Sequence, residues 1–301
     1  MAHEVLKITN RNGESIYGNK WLNKKSTNKC VVIVHGMSEY SFRYNEFAEF
    51  LNKAGYDVYA LDHLGHGLNC PDKVGLGIWP KDGFSECINN FVDLITSLQK
   101  DGNEVYVFAH SMGSFMGQAF MERYPGLVKK IVLCGSSGPQ GVHKMGKIVA
   151  TLHLIGKDPN KPCKFMNGLA FSSYNSKIKN PKSPNSWLSW NEENVKKYDA
   201  DEYCGFIQSR GFFKSFMGDG IASAHKKSNM EKIDRNQKVL LIVGQDDPVG
   251  NYSKAVSKLH SIYKKMGIDS SLIIYPHMRH EILNEDKKLD VMNDVLKFLE
   301  K

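Results

Sequence analysis

The sequence predicts an α/β protein, a mostly parallel, doubly wound sheet interrupted once by a helical insertion. Three observations carry this expectation. Continuous apolar runs of strand length, such as Cys30-Val-Val-Ile-Val-His35 and Val239-Leu-Leu-Ile-Val243, read as strands buried on both faces of a sheet. Segments with helical spacing alternate with these runs, as parallel strands joined by crossover helices require. The alternation then stops between residues 139 and 233, where no buried-strand run occurs.

Taken in order, residues 4–9 and 14–21 read as an antiparallel strand pair around the turn Asn10-Arg-Asn-Gly13. A polar, lysine-rich loop from Asn23 to Lys29 leads into the strand at Cys30, and Gly36-Met-Ser-Glu-Tyr40 follows as a loop. Phe47, Phe50 and Leu51 mark one face of a helix stopped by Gly55. The strand Tyr56–Leu61 ends in the glycine-punctuated turn Asp62-His-Leu-Gly-His-Gly67, and residues 70–84 read as loop. Ile88, Phe91, Val92, Leu94, Ile95 and Leu98 are spaced as a helix. A fifth strand, Val105–Phe108, runs into Ala109-His-Ser-Met-Gly113 and a helix bearing Phe115, Met116, Ala119, Phe120 and Met121. Val128–Cys134 is the sixth strand. After the insertion come the strand Val239–Val243, a helix from about 252 to 266, the strand Ser271–Tyr275 and a closing helix. Residues 1–138 and 234–301 are thus expected to form the core. Residues 139–233 are expected to form a helical cap over the carboxyl ends of the strands, where open α/β sheets bind ligands.

Composition excludes several classes. With 41% hydrophobic and 24% charged residues over 301 positions, the chain reads as an ordinary globular protein. No apolar run approaches the ~20 residues of a membrane-spanning helix, and no signal-peptide core opens the chain, so a cytoplasmic location is expected. The six cysteines are scattered without a C-x-x-C pair and read as free thiols. The net charge of +8 comes mostly from lysine, with no arginine-rich or aromatic-interleaved motif, so no nucleic-acid partner is expected. Residues 139–233 carry 15 lysines and arginines against 8 aspartates and glutamates, a surplus of +7 out of that +8.

The chemistry gathers at residues 104–113. Strand, sharp turn and helix with Ser111 at the apex is the arrangement of a nucleophile elbow, in which small residues flank the serine where strand and helix cross. Here these are Ala109 and Gly113, alanine standing where the pattern usually has its first glycine. By itself the stretch also reads as a plain turn with a serine N-cap. The rest of the chain favours the elbow, because a serine nucleophile needs a base and a group to orient that base. Gly244-Gln-Asp-Asp-Pro-Val-Gly250 follows one late strand and offers Asp246 and Asp247. Tyr275-Pro-His-Met-Arg-His-Glu281 follows the next and offers His277 and His280. Asp247 is preferred as the third residue after strand-ending Gly244, with Asp246 a turn or supporting residue. His280 is preferred because Glu281-Ile282-Leu283 reads as the start of an anchoring helix. Backbone N–H groups of Met112 and, after Gly36, of Met37 are the expected oxyanion donors.

Five motifs together resemble the monoacylglycerol lipase and lysophospholipase group of the α/β-hydrolase superfamily, serine aminopeptidase S33-type hydrolases. They are His35-Gly-Met-Ser-Glu-Tyr40, Asp62-His-Leu-Gly-His-Gly67, His110-Ser-Met-Gly113, Gly244-Gln-Asp-Asp-Pro-Val249 and His280-Glu281. Trp187-Leu-Ser-Trp-Asn-Glu-Glu193 and Tyr203-Cys-Gly-Phe206 are similar to bacterial members. The resemblance implies an α/β-hydrolase fold, the triad Ser111, Asp247 and His280, oxyanion donors Met37 and Met112, and no cofactor. His63-x-x-His66 lies in a turn with no completing ligands, so no metal is expected, and the histidines are read as loop supports.

The expected substrate is a small-molecule acyl ester or lipid, contacted by Gly36 and His110 near the serine and by Ile148, Leu152, Phe171 and Trp187 in the cap. The apolar stretch Met145–Ile155, flanked by Lys144, Lys147 and Lys157, fits a helix resting on an anionic membrane surface or one packed on the core. The aromatics Phe165, Phe171, Trp187, Trp190, Phe206, Phe212, Phe213 and Phe216 either line an acyl tunnel or build the cap's own interior. A peptidase or acyltransferase with the same triad, and a non-catalytic binding protein of this fold, are the alternative readings. Oligomeric state is not legible.

Overall fold

The computed structural model describes residues 2–25 and 27–301; Met1, and Ser26 within the expected lysine-rich loop, lie outside the described residues. Strands β1 (Ala2–Thr9) and β2 (Ser15–Leu22) form an antiparallel hairpin. Asn10 shapes its turn, the side-chain oxygen accepting the N–H groups of Asn12 and Glu14. There follow β3 (Lys29–Val34), α1 (Asn45–Lys53), β4 (Asp57–Leu61), α2 (Gly83–Lys100), β5 (Glu104–His110), α3 (Met112–Arg123) and β6 (Lys130–Cys134). Between β6 and the next strand stands a helical insert: α4 (Gly141–Leu154), α5 (Lys164–Phe171), α6 (Glu192–Ala200), α7 (Arg210–Ser215), a π turn over Phe216–Ile221, α8 (Ala222–Ala224) and α9 (Lys227–Met230). The chain closes with β7 (Lys238–Gly244), α10 (Lys254–Lys265), β8 (Asp269–Tyr275) and α11 (Lys288–Glu300).

The eight strands form one sheet in the order β1-β2-β4-β3-β5-β6-β7-β8, antiparallel at β1/β2 and β2/β4 and parallel elsewhere. Alternate side chains of each central strand feed opposite faces, as the two-residue period demands. Cys30, Val32 and Val34 join the core under α2, α3 and α10, whereas Val31 and Ile33 join the one under α1 and α11. Val105, Val107 and Ala109 divide from Tyr106 and Phe108 in the same way. Burial on both sides is why these strands read as unbroken apolar runs, each large side chain contributing roughly 1.5–3 kcal/mol. The insert shares this interior: Ala150, Cys163, Met166, Phe212, Phe213 and Phe216 belong to the core under α2 and α3.

Connectivity positions the site. From β3 the chain steps to β4 on one side and later to β5 on the other, so the loops leaving β3 and β5 diverge. A crevice at such a switch point, beyond the carboxyl ends of the strands, is where this class of sheet holds ligands.

Candidate active site

Ser111 stands at that crevice, between β5 and α3, with φ 53° and ψ −118°. A side-chain-bearing residue adopts this conformation at a cost of about 1–3 kcal/mol, so its surroundings must impose it. Its own N–H donates to Cys134 O at 2.9 Å, tying the turn to β6. A Cβ at Gly113 would lie 2.1 Å from Val34 O, so only glycine lets α3 approach β3 this closely. The departure at Ala109 is answered across the helix. Its methyl is fully buried, and opposite it stands Gly117, where a Cβ would fall 3.2 Å from the Ala109 Cβ and 2.9 Å from Leu133 Cδ2.

The two later loops converge on the serine. Ser111 Oγ donates to His280 Nε2 at 2.8 Å, and His280 Nδ1–H donates to Asp247 Oδ2 at 3.0 Å. Both partners are buried. The other Asp247 oxygen accepts from Val249 N–H at 2.9 Å. Gly244 permits the convergence, since a Cβ there would meet Arg279 O at 2.1 Å. Asp246 instead faces outward, accepting from Trp190 Nε1 at 3.0 Å, and His277 is exposed. Residues 281–283, expected to open a helix, form only the single 3₁₀ turn Ile282–Asn284, and α11 starts at Lys288. Side chains hold this loop in place of helical bonds: Glu285 accepts from Arg279 N–H, Trp190 N–H and Ser189 Oγ.

Met37 and Met112 both border the space in front of Ser111, and among the described residues neither backbone N–H has a protein acceptor. Beneath them His35, His63 and His66 are buried and bound to the backbone. His35 Nδ1–H donates to Gly36 O at 2.8 Å and its Nε2 accepts His63 N–H at 3.0 Å. Burial pushes His63 down to about 4 and His66 to about 3, so both are neutral loop supports.

Ser111 opens on a cavity of about 470 Å³ walled by Met37, Phe115, Met166, Phe171, Trp187, Leu188, Phe206, Phe213, Phe216 and Ile221, with Gly36 and His110 at its floor. Trp187 packs on the His280 ring with centroids 5.1 Å apart. Of the other cap aromatics, Phe212 is core, and Phe165 and Trp190 are exposed. Ile148 and Leu152, expected at the substrate site, lie outside the cavity wall, 55% and 61% exposed. The reason is that α4 packs by its small residues, Gly146 and Ala150. Met217 fills the space at Gly146, where a Cβ would meet its Cε at 2.2 Å. The large aliphatics are thereby turned outward.

Such a chain of serine, imidazole and carboxylate can activate the hydroxyl as a nucleophile, and a largely apolar cavity suits an acyl chain. Residues 25–287 match the family described as serine aminopeptidase, S33. Across 297 residues the chain is 27% identical to the monoacylglycerol lipase of Mycolicibacterium smegmatis, covering 95% of this chain and 93% of that one. It is 31% identical to lysophospholipase L2 of Escherichia coli over 111 residues, 35% of this chain and 32% of the relative. Among solved structures, a carboxyl esterase from Bacillus coagulans superposes with a TM-score of 0.90 at 23% identity, covering 100% of this chain and 98% of that one. A Paleococcus ferrophilus monoacylglycerol lipase does so at 0.66 and 23%, covering 94% and 98%. These likenesses identify the architecture as the α/β-hydrolase fold.

Proposed function

The chain belongs to the serine aminopeptidase S33 family of α/β-hydrolases, and from that premise we propose that it is a serine esterase acting on monoacylglycerols or lysophospholipids. The observation that carries this reading is the Ser111–His280–Asp247 hydrogen-bond chain at the floor of an apolar cavity. In this scheme His280 Nε2 takes the proton of Ser111 as Oγ attacks the ester carbonyl carbon. Asp247 holds Nδ1–H and stabilises the imidazolium. The oxyanion accepts from the N–H groups of Met37 and Met112, each such donor being worth about 3 kcal/mol. Collapse expels the alcohol, protonated by His280. Water, deprotonated by the same imidazole, then attacks the acyl carbonyl, and His280 returns that proton to Ser111 Oγ as the acid is released. The scheme needs neither metal nor cofactor.

Residues 139–233 act as the cap over a core of 1–138 and 234–301. The outer face of α4 and α5 (Ile148, Leu152, Phe165 and Leu169), with Ile155 just after α4, is exposed among lysines, which suits peripheral contact with an anionic lipid surface. A cytoplasmic setting suits the six free thiols. The peptidase reading is weaker on a specific ground. An aminopeptidase needs a carboxylate for the substrate ammonium, and the two glutamates at the cavity wall, Glu39 and Glu281, are both engaged by Arg43.

The test is a hydrolysis panel of nitrophenyl butyrate, graded monoacylglycerols, lysophosphatidylcholine and aminoacyl amides, with Ser111→Ala as blank. The expected result is turnover of the lipid esters, at least 10³-fold above the blank, with fluorophosphonate labelling at Ser111. Preference for aminoacyl amides overturns the lipid assignment, and absence of labelling overturns the serine mechanism.

A further inference from the structure

Behind Ser111 lies a buried ionic cluster that the hydrolytic scheme leaves unused. Glu39 Oε1 accepts from Gly36 N–H at 2.6 Å and Tyr44 OH at 2.8 Å, with His110 Nδ1 at 3.2 Å. Its other oxygen accepts from Arg43 at 2.8 Å. The Arg43 guanidinium then forks onto both oxygens of Glu281, at 2.7 and 2.8 Å. Glu281 also accepts from Asn194 of α6 at 2.7 Å. Burial opposes charge on Glu39, but its bond to His110 and the Arg43 charge outweigh it and hold the carboxyl well below its usual range. Burial opposes charge on His110 too, and Glu39 more than offsets this, raising it.

Each member adjoins one part of the proposed machinery. Glu39 fixes Gly36, the neighbour of Met37; His110 precedes Ser111; Glu281 follows His280. We propose that Arg43 is a positioning residue for hydrolysis, bridging Glu39 and Glu281 so that the oxyanion-donor loop and the base loop share one register around Ser111. This rests on the esterase reading above. Two features favour positioning over mere cohesion. The contact to Glu281 is a bidentate fork, which sets an angle as well as a distance and which lysine has no means to reproduce. Moreover, a buried ion cluster is a poor source of stability compared with apolar residues of the same volume, which makes fixed geometry the property it is suited to supply. Asp247 contacts His280 through Nδ1, His110 packs on its ring at 4.8 Å and Glu281 follows it in the chain; Glu39 and Arg43 stand one contact further, on His110 and Glu281.

The test compares wild type, Arg43→Met, Arg43→Lys and Ser111→Ala in the full chain, using nitrophenyl butyrate. Arg43→Met should lower kcat tenfold or more with KM within twofold. It should also move the acid limb of the kcat/KM profile to higher pH, because Glu281, which follows the base, and Glu39, which holds His110 against it, lose their counter-ion. Arg43→Lys should return the limb to its wild-type place while kcat stays at least threefold down. Full recovery of kcat in Arg43→Lys overturns the proposal, since charge without the fork would then suffice. So does an Arg43→Met enzyme within twofold of wild type. Should Arg43→Met fail to fold, Arg43→Lys decides alone by the same threshold. Retained activity in Ser111→Ala sinks the esterase reading instead, whatever the Arg43 variants do.

Discussion

The two halves of the helical insert are held in different ways. Residues 186–209 are stitched to the loops of the site by polar bonds. Glu281 N–H donates to Leu188 O at 2.7 Å, Arg279 donates to the carbonyls of Ser186 and Ser189, and Glu285 gathers Ser189 and Trp190. Tyr198 OH and Gly205 N–H both donate to Ser38 O. By contrast, α4 buries only Gly146 and Ala150 and α5 only Met166; both turn other large side chains outward, and α4 meets the end of α8 through His143 and His225, whose Nδ1 atoms lie 3.3 Å apart. Directional bonds fix the half nearest His280, whereas apolar contact through a few buried side chains holds the half that covers the cavity. Local stability should therefore be high over 186–209 and low over α4 and α5.

The largest way to break this contrast is Glu285→Ala. It strands several donors at once, including the buried Arg279 N–H, and should cost about 3 kcal/mol in urea unfolding. Because the same carboxylate orders the loop before His280, kcat should fall at least tenfold. Loss of stability with kcat unchanged would show that the stitching is merely cohesive.

Acid should act next, on the weaker joint. Burial holds His143 at about 4 and His225 at about 3, both below their unfolded value near 6.5. Between these limits the unfolded chain takes up protons that the folded one refuses, so stability falls as pH drops from about 6.5 to about 4. Each histidine should contribute on the order of 2 kcal/mol of the loss between pH 7 and 5. A His143→Leu, His225→Leu variant should lose that share of the pH dependence. Urea midpoints that shift with pH as much as in wild type would refute the joint.

Ile148→Ser with Leu152→Ser should have the smallest effect on folding, within about 0.5 kcal/mol, since both side chains already face solvent. Sedimentation with anionic vesicles should nevertheless weaken several-fold, and wild-type binding should fall with added salt. Undiminished vesicle binding would detach the outer face of α4 from lipid contact.

How much could be read from residues alone follows the same division. The doubly wound sheet was legible because strands buried on both faces leave unbroken apolar runs, and the meeting of Ser111, Asp247 and His280 because each ends or follows a strand. The orientation of α4 was not. Hydrophobic spacing identifies the apolar stripe, but here Gly146 and Ala150 form the buried side, and small residues leave a faint signal. Glu39, Arg43 and Glu281 were equally hidden, since isolated charges read as surface and Glu281 lies 238 positions beyond Arg43. Ile282 and Leu283 suit a helix in sequence, whereas the buried carboxylates of Glu281 and Glu285 on either side tie this loop to other segments, and only a 3₁₀ turn forms.

The alanine two places before Ser111 has a wider meaning. What the crossing of β5 and α3 requires is a limit on total volume, shared between strand and helix, and Ala109 with Gly117 satisfies it jointly. The room at such an elbow is therefore set by facing positions together, and a linear pattern that reads only the residues flanking the serine sees half of it.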